Sequence, residues 1–292
     1  MAASERIFGF DLTLVPASTA ALPLTDLAIR RGYGAFDFLR VEDRVPLFLG
    51  DHLARLERSA DLLGLEPRPG PDEVRAHVLD VILANEESSF GMQLFLTGGD
   101  PDDGFAPGRP RTLVLIVDLP RYPEGHYRDG VRLLEHRFER DLPVAKTTNY
   151  FTAVRHARAL REAEAADLLY HDGDRALETT RCNLFVLGGD GRWATPGDGV
   201  LPGITRLHML QALGDEATLR DVPLEELYGA REAFLTSTTK GVMPVVEVAG
   251  RRIGDGRPGP RTRAAADAFA RHRDAWRVAF AADEELVRTG AT

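Results

Sequence analysis

Apolar residues in this chain follow two different periods, one near two residues and one near 3.6, that never settle into a regular strand–helix alternation. This constrains the fold more than any other feature. A doubly wound parallel sheet needs repeated βαβ units and a bundle needs helical period throughout, so the pattern predicts an α+β architecture. Tyr33–Val41 reads as a strand, with Val45–Leu49 as a second across a short polar turn. Asp51–Leu63 reads as a helix, with Leu53, Leu56, Ala60 and Leu63 on one face and Gly64 as its stop. Asp72–Ala84 reads as another helix. Met92–Thr97 and Thr112–Val117 are apolar strands, and Gly98–Pro110 between them, dense in Gly, Pro and Asp, is an exposed loop.

Leu119–Gly125, with two prolines and a glycine, reads as a linker. Beyond it, Val131–Phe138 is a strand and Thr152–Ala166 an amphipathic helix. Leu168–Tyr170 and Ala176–Leu187 flank the turn His171–Asp174, and Gly188–Gly191 is a hairpin turn. Gly203–Leu213 is a helix, Phe234–Thr236 and Val245–Val248 are strands, and Arg261–Val287 is the C-terminal helix. The expected organisation is a small N-terminal domain over 1–119, a linker over 120–130 and a larger domain over 131–292.

Composition narrows the function classes. A chain of 292 residues builds a core without disulfide staples, and its single cysteine, Cys182, cannot form an internal one. The formal net charge of −9 argues against general affinity for nucleic acid or anionic membrane. The N-terminus lacks a basic stretch followed by an apolar run, and no apolar segment reaches the roughly 18 residues of a membrane span. The expected location is the cytoplasm. Of 36 Lys and Arg residues only two are lysines, Lys146 and Lys240. An amine can lose its proton and attack a carbonyl, which a guanidinium cannot do at ordinary pH, so these two positions invite a chemical explanation.

Lys146 stands at a strand end, just before a helix, in Lys146-Thr147-Thr148-Asn149-Tyr150. Glu178 follows at the far end of a hairpin that can return it to the same cavity. Gly203-Ile204-Thr205 opens a helix, and helix N-termini bind phosphate through unpaired backbone N–H groups. Ser237-Thr238-Thr239 offers hydroxyls and amides of the same kind. An amine, an acid and phosphate donors are what pyridoxal phosphate requires of a protein. Each feature alone is common on protein surfaces.

Together, in order, they resemble the fold-type IV pyridoxal-phosphate enzymes, a group holding D-amino-acid transaminases, branched-chain aminotransferases, (R)-amine transaminases and aminodeoxychorismate lyase. Arg31-Gly32-Tyr33-Gly34-Ala35-Phe36-Asp37 resembles the family's early "G-x-G-x-F-E" strand, with Asp37 for the usual Glu. His52–Ala60 resembles its "H-x-x-R-L-x-x-S-A" helix, whose arginine, here Arg55, holds the phosphate. Lys146 matches the Schiff-base lysine, and Glu178 the acid opposite the pyridine nitrogen in "E-x-x-x-x-N-x-F". Leu201–Arg206 matches "L-x-G-I-T-R", where the leucine packs on the ring and the Ile204 and Thr205 amides bind phosphate. Ser237–Val245 matches "S-T-T-x-x-x-x-P-V". The resemblance implies a small N-terminal α/β domain, a larger C-terminal pseudo-barrel domain, and a homodimer with active sites at the domain junction. It implies cofactor contacts from Arg55, Lys146, Tyr150, Glu178, Leu201, Gly203, Ile204, Thr205, Thr238 and Thr239, and no metal. Lys240 falls at a position the family leaves variable and reads as a surface charge.

Within the group, branched-chain aminotransferases place one more residue between the lysine and the asparagine of their motif. The spacing Lys146–Asn149 is the shorter one of the D-amino-acid transaminases and the lyase. The "R-x-H" carboxylate clamp of familiar D-amino-acid transaminases is missing from Gly98–Pro110, which carries only Arg109, and Phe36 stands at their tyrosine position. Arg181 and Arg31 are the replacement candidates for binding a substrate carboxylate, since arginine engages carboxylates bidentately. Tyr33 and Phe36 complete the expected substrate-binding set. The expected activity moves the amino group of D-amino acids, and of (R)-primary amines, to 2-oxo acids. Aminodeoxychorismate lyase and branched-chain L-amino-acid aminotransferase are the alternatives.

Overall fold

A computed structural model describes residues 5–283 of the chain. It divides into two compact units, one within Met1–Leu119, Ala145–Asn149 and Trp276–Thr292, the other comprising Pro120–Val144 and Tyr150–Ala275. Ala145–Asn149, expected in the larger domain, groups with the first unit because its backbone bonds to residues 34–36 there.

The first unit runs β1 (Ile7–Phe10), β2 (Thr13–Pro16), α1 (Leu27–Arg31), β3 (Gly34–Glu42), β4 (Val45–Pro46), α2 (Leu49–Leu62), α3 (Pro71–Leu83), β5 (Phe90–Thr97) and β6 (Thr112–Val117). The strands form one antiparallel sheet in the order β2-β1-β6-β5-β3-β4. Strand period two puts Ala35, Asp37, Leu39 and Val41 of β3 on its buried face. Helix α2 covers that face with two stripes. Leu49, Leu53, Leu56 and Ala60 join the apolar core with Val78, Ile82, Leu94 and Ile116, while His52, Arg55 and Ser59, three and four residues apart, bring buried polar groups to the same side. The expected strand Val45–Leu49 shrinks to Val45–Pro46, because Phe48 turns left-handed (φ 57°) and Leu49 opens α2. The β1–β2 hairpin turns through Asp11 and Leu12, both at positive φ.

The second unit runs α4 (Glu124–Arg128), β7 (Val131–Arg137), α5 (Phe151–Arg155), α6 (Ala157–Glu162), β8 (Asp167–His171), β9 (Arg175–Thr179), β10 (Asn183–Leu187), β11 (Trp193–Thr195), α7 (Ile204–Leu213), β12 (Ala217–Leu219), β13 (Val222–Pro223), α8 (Leu224–Tyr228), β14 (Ala233–Ser237), β15 (Gly241–Val248), β16 (Arg251–Arg252) and α9 (Pro260–Asp283), which enters the first unit at Trp276. Strands β10-β14-β15-β7-β8-β9 form a ring that closes where β9 pairs back to β10. This is the pseudo-barrel of the expected α+β class. Leu133, Leu169, Leu184, Val186, Leu235 and Met243 belong to its core. The closing register pairs Glu178 with Asn183, so the barrel seam itself fixes the acid.

Three expectations need correction here. Thr152–Ala166 is not one amphipathic helix: α5 and α6 are separate five- and six-residue turns with no buried residue, so no apolar stripe is available to hold them as one. Ala176–Leu187 is two strands, because Thr179 and Cys182 bond across the intervening turn (Thr179 N to Cys182 O, 2.8 Å; Cys182 N to Thr179 Oγ1, 3.1 Å). The linker region carries the short helix α4. Helix α9 starts as expected, its first amides donating to the buried Glu232 carboxylate (Arg261 N 3.1 Å, Thr262 N 2.6 Å). Residues 284–287 of its expected span lie outside the described residues. Among the described residues no helix is long and apolar enough to cross a membrane.

Candidate active site

In the first unit, the lysine is held by its backbone. Lys146 N donates to Ser59 Oγ (3.0 Å), Phe36 N donates to Lys146 O (2.9 Å) and Thr148 N donates to Gly34 O (3.0 Å). Ser59 Oγ in turn donates to Arg55 O at 2.8 Å. The Lys146 amine lies 4.5 Å from the centroid of the Phe36 ring, which stacks on Phe95. The Lys146 amine is thus set against an aromatic wall on a pinned backbone.

Behind it lies a buried charge cluster. Asp37 is wholly buried on β3. Arg55 donates to it through Nε (2.8 Å) and Nη2 (2.7 Å), and His52 Nδ1 lies 2.7 Å from the same carboxylate. Burial pushes the Asp37 carboxyl up, but Arg55 and His52 outweigh it and hold it well below the usual carboxylate range. Burial likewise dominates at His52 and favours the neutral imidazole, against the pull of Asp37. Neutral His52 then donates from Nδ1 to the carboxylate.

In the second unit, Glu178 is buried at the barrel seam and accepts from both sides. Its Oε2 accepts from Leu201 N (3.1 Å) and Asn183 Nδ2 (3.3 Å), and Asn183 is itself tied to Leu201 O (2.9 Å). Its Oε1 accepts from Arg140, through Nε at 2.9 Å and through Nη2. Helix α7 begins two residues after Pro202 with Gly203 as its N-cap and no side-chain cap on its first turn. A Cβ at Gly203 would fall 1.9 Å from Asn183 Oδ1, so glycine is required for this approach. Ile204 and Thr205 of that turn are buried. Thr238 and Thr239 are half-buried beyond β14, and Thr239 Oγ1 lies 3.1 Å from Tyr122 Oη. Tyr150, half-buried, precedes α5 as its N-cap.

Lys240 is not the surface charge expected. It is buried, with Nζ 3.2 Å from Cys182 Sγ and 3.5 Å from Asp167 Oδ2, and Asp167 also accepts from the Thr179 and Thr180 hydroxyls. Burial pushes the Lys240 ammonium down, but Cys182 and Asp167 outweigh it and hold it above its ordinary value. The strand–turn–strand at Thr179–Asn183 buries Cys182 and Asp167 where the Lys240 stem can reach them, which a family-variable position gives no hint of.

The substrate-side candidates separate. Phe36 lines the amine. Tyr33 donates its hydroxyl to Leu63 O (2.8 Å) and packs on the core, anchoring the end of α2. Arg181 is exposed in the β9–β10 turn, without a hydrogen bond or ion pair among the described residues. Arg31 is exposed at the end of α1 and donates to Arg30 O. Sequence reasoning missed Arg140, whose strand-exit position shows no motif, and the partnership of Asp37 with His52. A buried-face aspartate opposite a helix carrying His and Arg at i and i+3 signals that partnership. Among the described residues no group of three or more His, Cys, Asp or Glu side chains could hold a metal ion.

The D-alanine aminotransferase of Bacillus licheniformis is 29% identical over 263 residues, covering 87% of this chain and 92% of that protein. The branched-chain-amino-acid aminotransferase-like protein 1 of Arabidopsis thaliana is 28% identical over 275 residues, covering 88% of this chain and 48% of that protein. In fold, the chain superposes on the T.th. branched-chain amino acid aminotransferase solved with pyridoxamine 5'-phosphate, with a TM-score of 0.84 at 23% identity, over 96% of this chain and 98% of that one. The family model for amino-transferase class IV matches residues 34–248, most of the 292-residue chain, and the protein therefore belongs to the class IV aminotransferases, whose cofactor is pyridoxal phosphate.

Proposed function

We propose that this aminotransferase takes the amino group of D-amino acids, and of (R)-primary amines, and delivers it to 2-oxo acids, acting as a homodimer. The observation that carries the reading is the short segment Lys146–Asn149. Its backbone is pinned at Ser59, Phe36 and Gly34, so the spacing that resembles the D-amino-acid transaminases is a fixed dimension of the site and not the length of a free loop. The similarity to a D-alanine aminotransferase over nearly the whole of both chains supports it. Similarity to branched-chain relatives supports the second reading, an L-amino-acid donor.

The residues present fit pyridoxal phosphate. They supply one amine on a rigid backbone, a buried anion, and a ten-residue helix whose uncapped first turn is an anion site. When bound, the cofactor supplies an aldehyde for the amino group and a ring that accepts the electron pair left at Cα. Lys146 Nζ would be the amine that holds the aldehyde and the base that carries the Cα proton. The α7 amides at Ile204 and Thr205, Thr238, Thr239 and Arg55 would be the residues to hold the phosphate. Leu201 and Tyr150 would be the residues to contact the ring. Glu178 would pair with the ring nitrogen. Phe36 excludes water from one side of Nζ. Arg181, with Arg31, meets the substrate carboxylate.

The test is a set of half-reactions. D-alanine, D-glutamate, (R)-1-phenylethylamine, L-leucine and L-glutamate are each mixed with enzyme, and the cofactor spectrum is followed. The D-donors react fastest on this reading. Faster reaction with L-leucine establishes the branched-chain reading instead. Release of pyruvate from aminodeoxychorismate, with no reaction of either enantiomer, establishes the lyase.

A further inference from the structure

Glu178 presents its two oxygens to partners of different kinds. Oε2 is fixed by neutral, rigid donors: a backbone amide, Leu201 N, and an asparagine that Leu201 O pins. Oε1 faces a cation. Arg140 reaches it from the segment after β7 through Nε and Nη2, and Nη2 also donates to Pro143 O at 2.7 Å. The Glu178 side chain is 7% exposed and that of Arg140 is 23% exposed. A cation at hydrogen-bond distance favours the charged form of a buried carboxylate and fixes its orientation. Among the described residues, Arg206 and Tyr170 also feel its charge. Arg206 on α7 is buried and spends Nη1 on Pro196 O, and Tyr170 on β8 stays protonated, its pKa pushed up by burial.

We propose that Arg140 is a positioning residue that keeps Glu178 ionised and correctly rotated in the cofactor-free protein, and yields Oε1 to the protonated ring nitrogen while retaining its own bond to Pro143 O. This rests on the reading of Glu178 as the ring-nitrogen partner. The asymmetry of the carboxylate is its basis. Leu201 N and Asn183 cannot move without disturbing the barrel seam, whereas the Arg140 side chain is long, partly exposed and already shared with a second acceptor.

The experiment measures the Kd of pyridoxamine 5'-phosphate for apoenzyme from about pH 8 to about pH 5.5, a range spanning the raised pKa of an unpaired buried glutamate. Wild type, Arg140→Gln, Arg140→Lys, Glu178→Gln and the double variant Arg140→Gln/Glu178→Gln are compared. Without Arg140, Glu178 must shed a proton before it can pair with the ring. The Kd ratio of Arg140→Gln to wild type therefore grows several-fold per pH unit as pH falls, while the Arg140→Lys ratio stays flat. The growth disappears in the Glu178→Gln background. A flat ratio for Arg140→Gln overturns the proposal. If Glu178→Gln alone leaves the affinity and the cofactor spectrum unchanged, the reading of Glu178 itself fails, which is a different result. A measurement free of any Arg140 variant is the infrared difference between wild-type and Glu178→Gln apoenzymes. It must show a carboxylate band throughout this range, and a protonated carboxyl band overturns the proposal.

Discussion

Arg55 grips the Asp37 carboxylate at both oxygens, Nε to Oδ2 at 2.8 Å and Nη2 to Oδ1 at 2.7 Å, where neither side chain meets appreciable solvent. The pair joins the sheet to the helix that carries Ser59, and Ser59 holds the backbone of Lys146. A change at Asp37 therefore reaches Lys146 through Arg55 and α2, without touching it.

Asp37→Asn should destabilise the apoenzyme by about 3–5 kcal/mol, the cost of leaving one partner of a buried ion pair uncompensated. Urea unfolding measures it. The pH dependence has a definite sign. The folded pKa of Asp37 lies below its unfolded value, so its stabilisation is complete above the ordinary carboxylate range and drains away as pH falls below about 4. The stability gap between wild type and Asp37→Asn should stay constant from neutral pH down to about pH 5 and narrow below it. A gap that widens in acid contradicts the ion pair.

Borohydride reduction of the loaded enzyme followed by peptide mapping should place the pyridoxyl group on Lys146. Lys240 is excluded by its surroundings: its ammonium is buried between Cys182 and Asp167 and held charged, which is the opposite of a nucleophilic amine. Label on Lys240 would overturn the site. Lys240→Met should leave label at Lys146 intact and cost about 3–5 kcal/mol of stability by leaving the buried Asp167 without its cation.

Glu178→Gln should still bind cofactor, because phosphate and lysine contacts remain, yet turn over about 10²–10³-fold more slowly, the usual loss when one preorganised electrostatic partner is removed. Stopped-flow half-reactions separate the two. Equal turnover removes Glu178 from the chemistry.

The sequence makes some of this legible and hides the rest for identifiable reasons. Period two along Ala35–Val41 and the 3–4 spacing of Leu49–Ala60 reveal β3 and α2, because each buries one face. Lys146, Glu178 and Gly203 stand in contiguous motifs, so their places are readable. Arg140 and Lys240 are not, since their partners lie 38 and 58–73 residues away and only barrel closure brings them together. The β1–β2 turn is hidden because Asp11 and Leu12, not glycines, take the left-handed conformation. The break between α5 and α6 is hidden because helical spacing persists in Thr152–Ala166 although neither turn has a fully buried residue.

Arg181 supplies the last test, and its exposure sets the expected size. It lies three residues beyond Glu178, on the turn before β10, without a hydrogen bond or ion pair among the described residues. A guanidinium so placed is available to a substrate carboxylate, and the missing "R-x-H" clamp leaves that role open. Because Arg181 is exposed, the contact should be worth what a charge-assisted hydrogen bond is worth, about 1.5–3 kcal/mol, and not the larger cost of breaking a buried pair. Arg181→Ala should therefore lower kcat/KM for D-alanine and D-glutamate by roughly 10- to 150-fold. It should leave (R)-1-phenylethylamine nearly unchanged, since that amine carries no carboxylate. Arg181→Lys should recover part of the loss, because an ammonium keeps the charge without the bidentate fork. Equal losses for acid and amine would show that Arg181 serves the turn beneath Glu178 instead, and the carboxylate would then have to be met by Arg31 or by another cation.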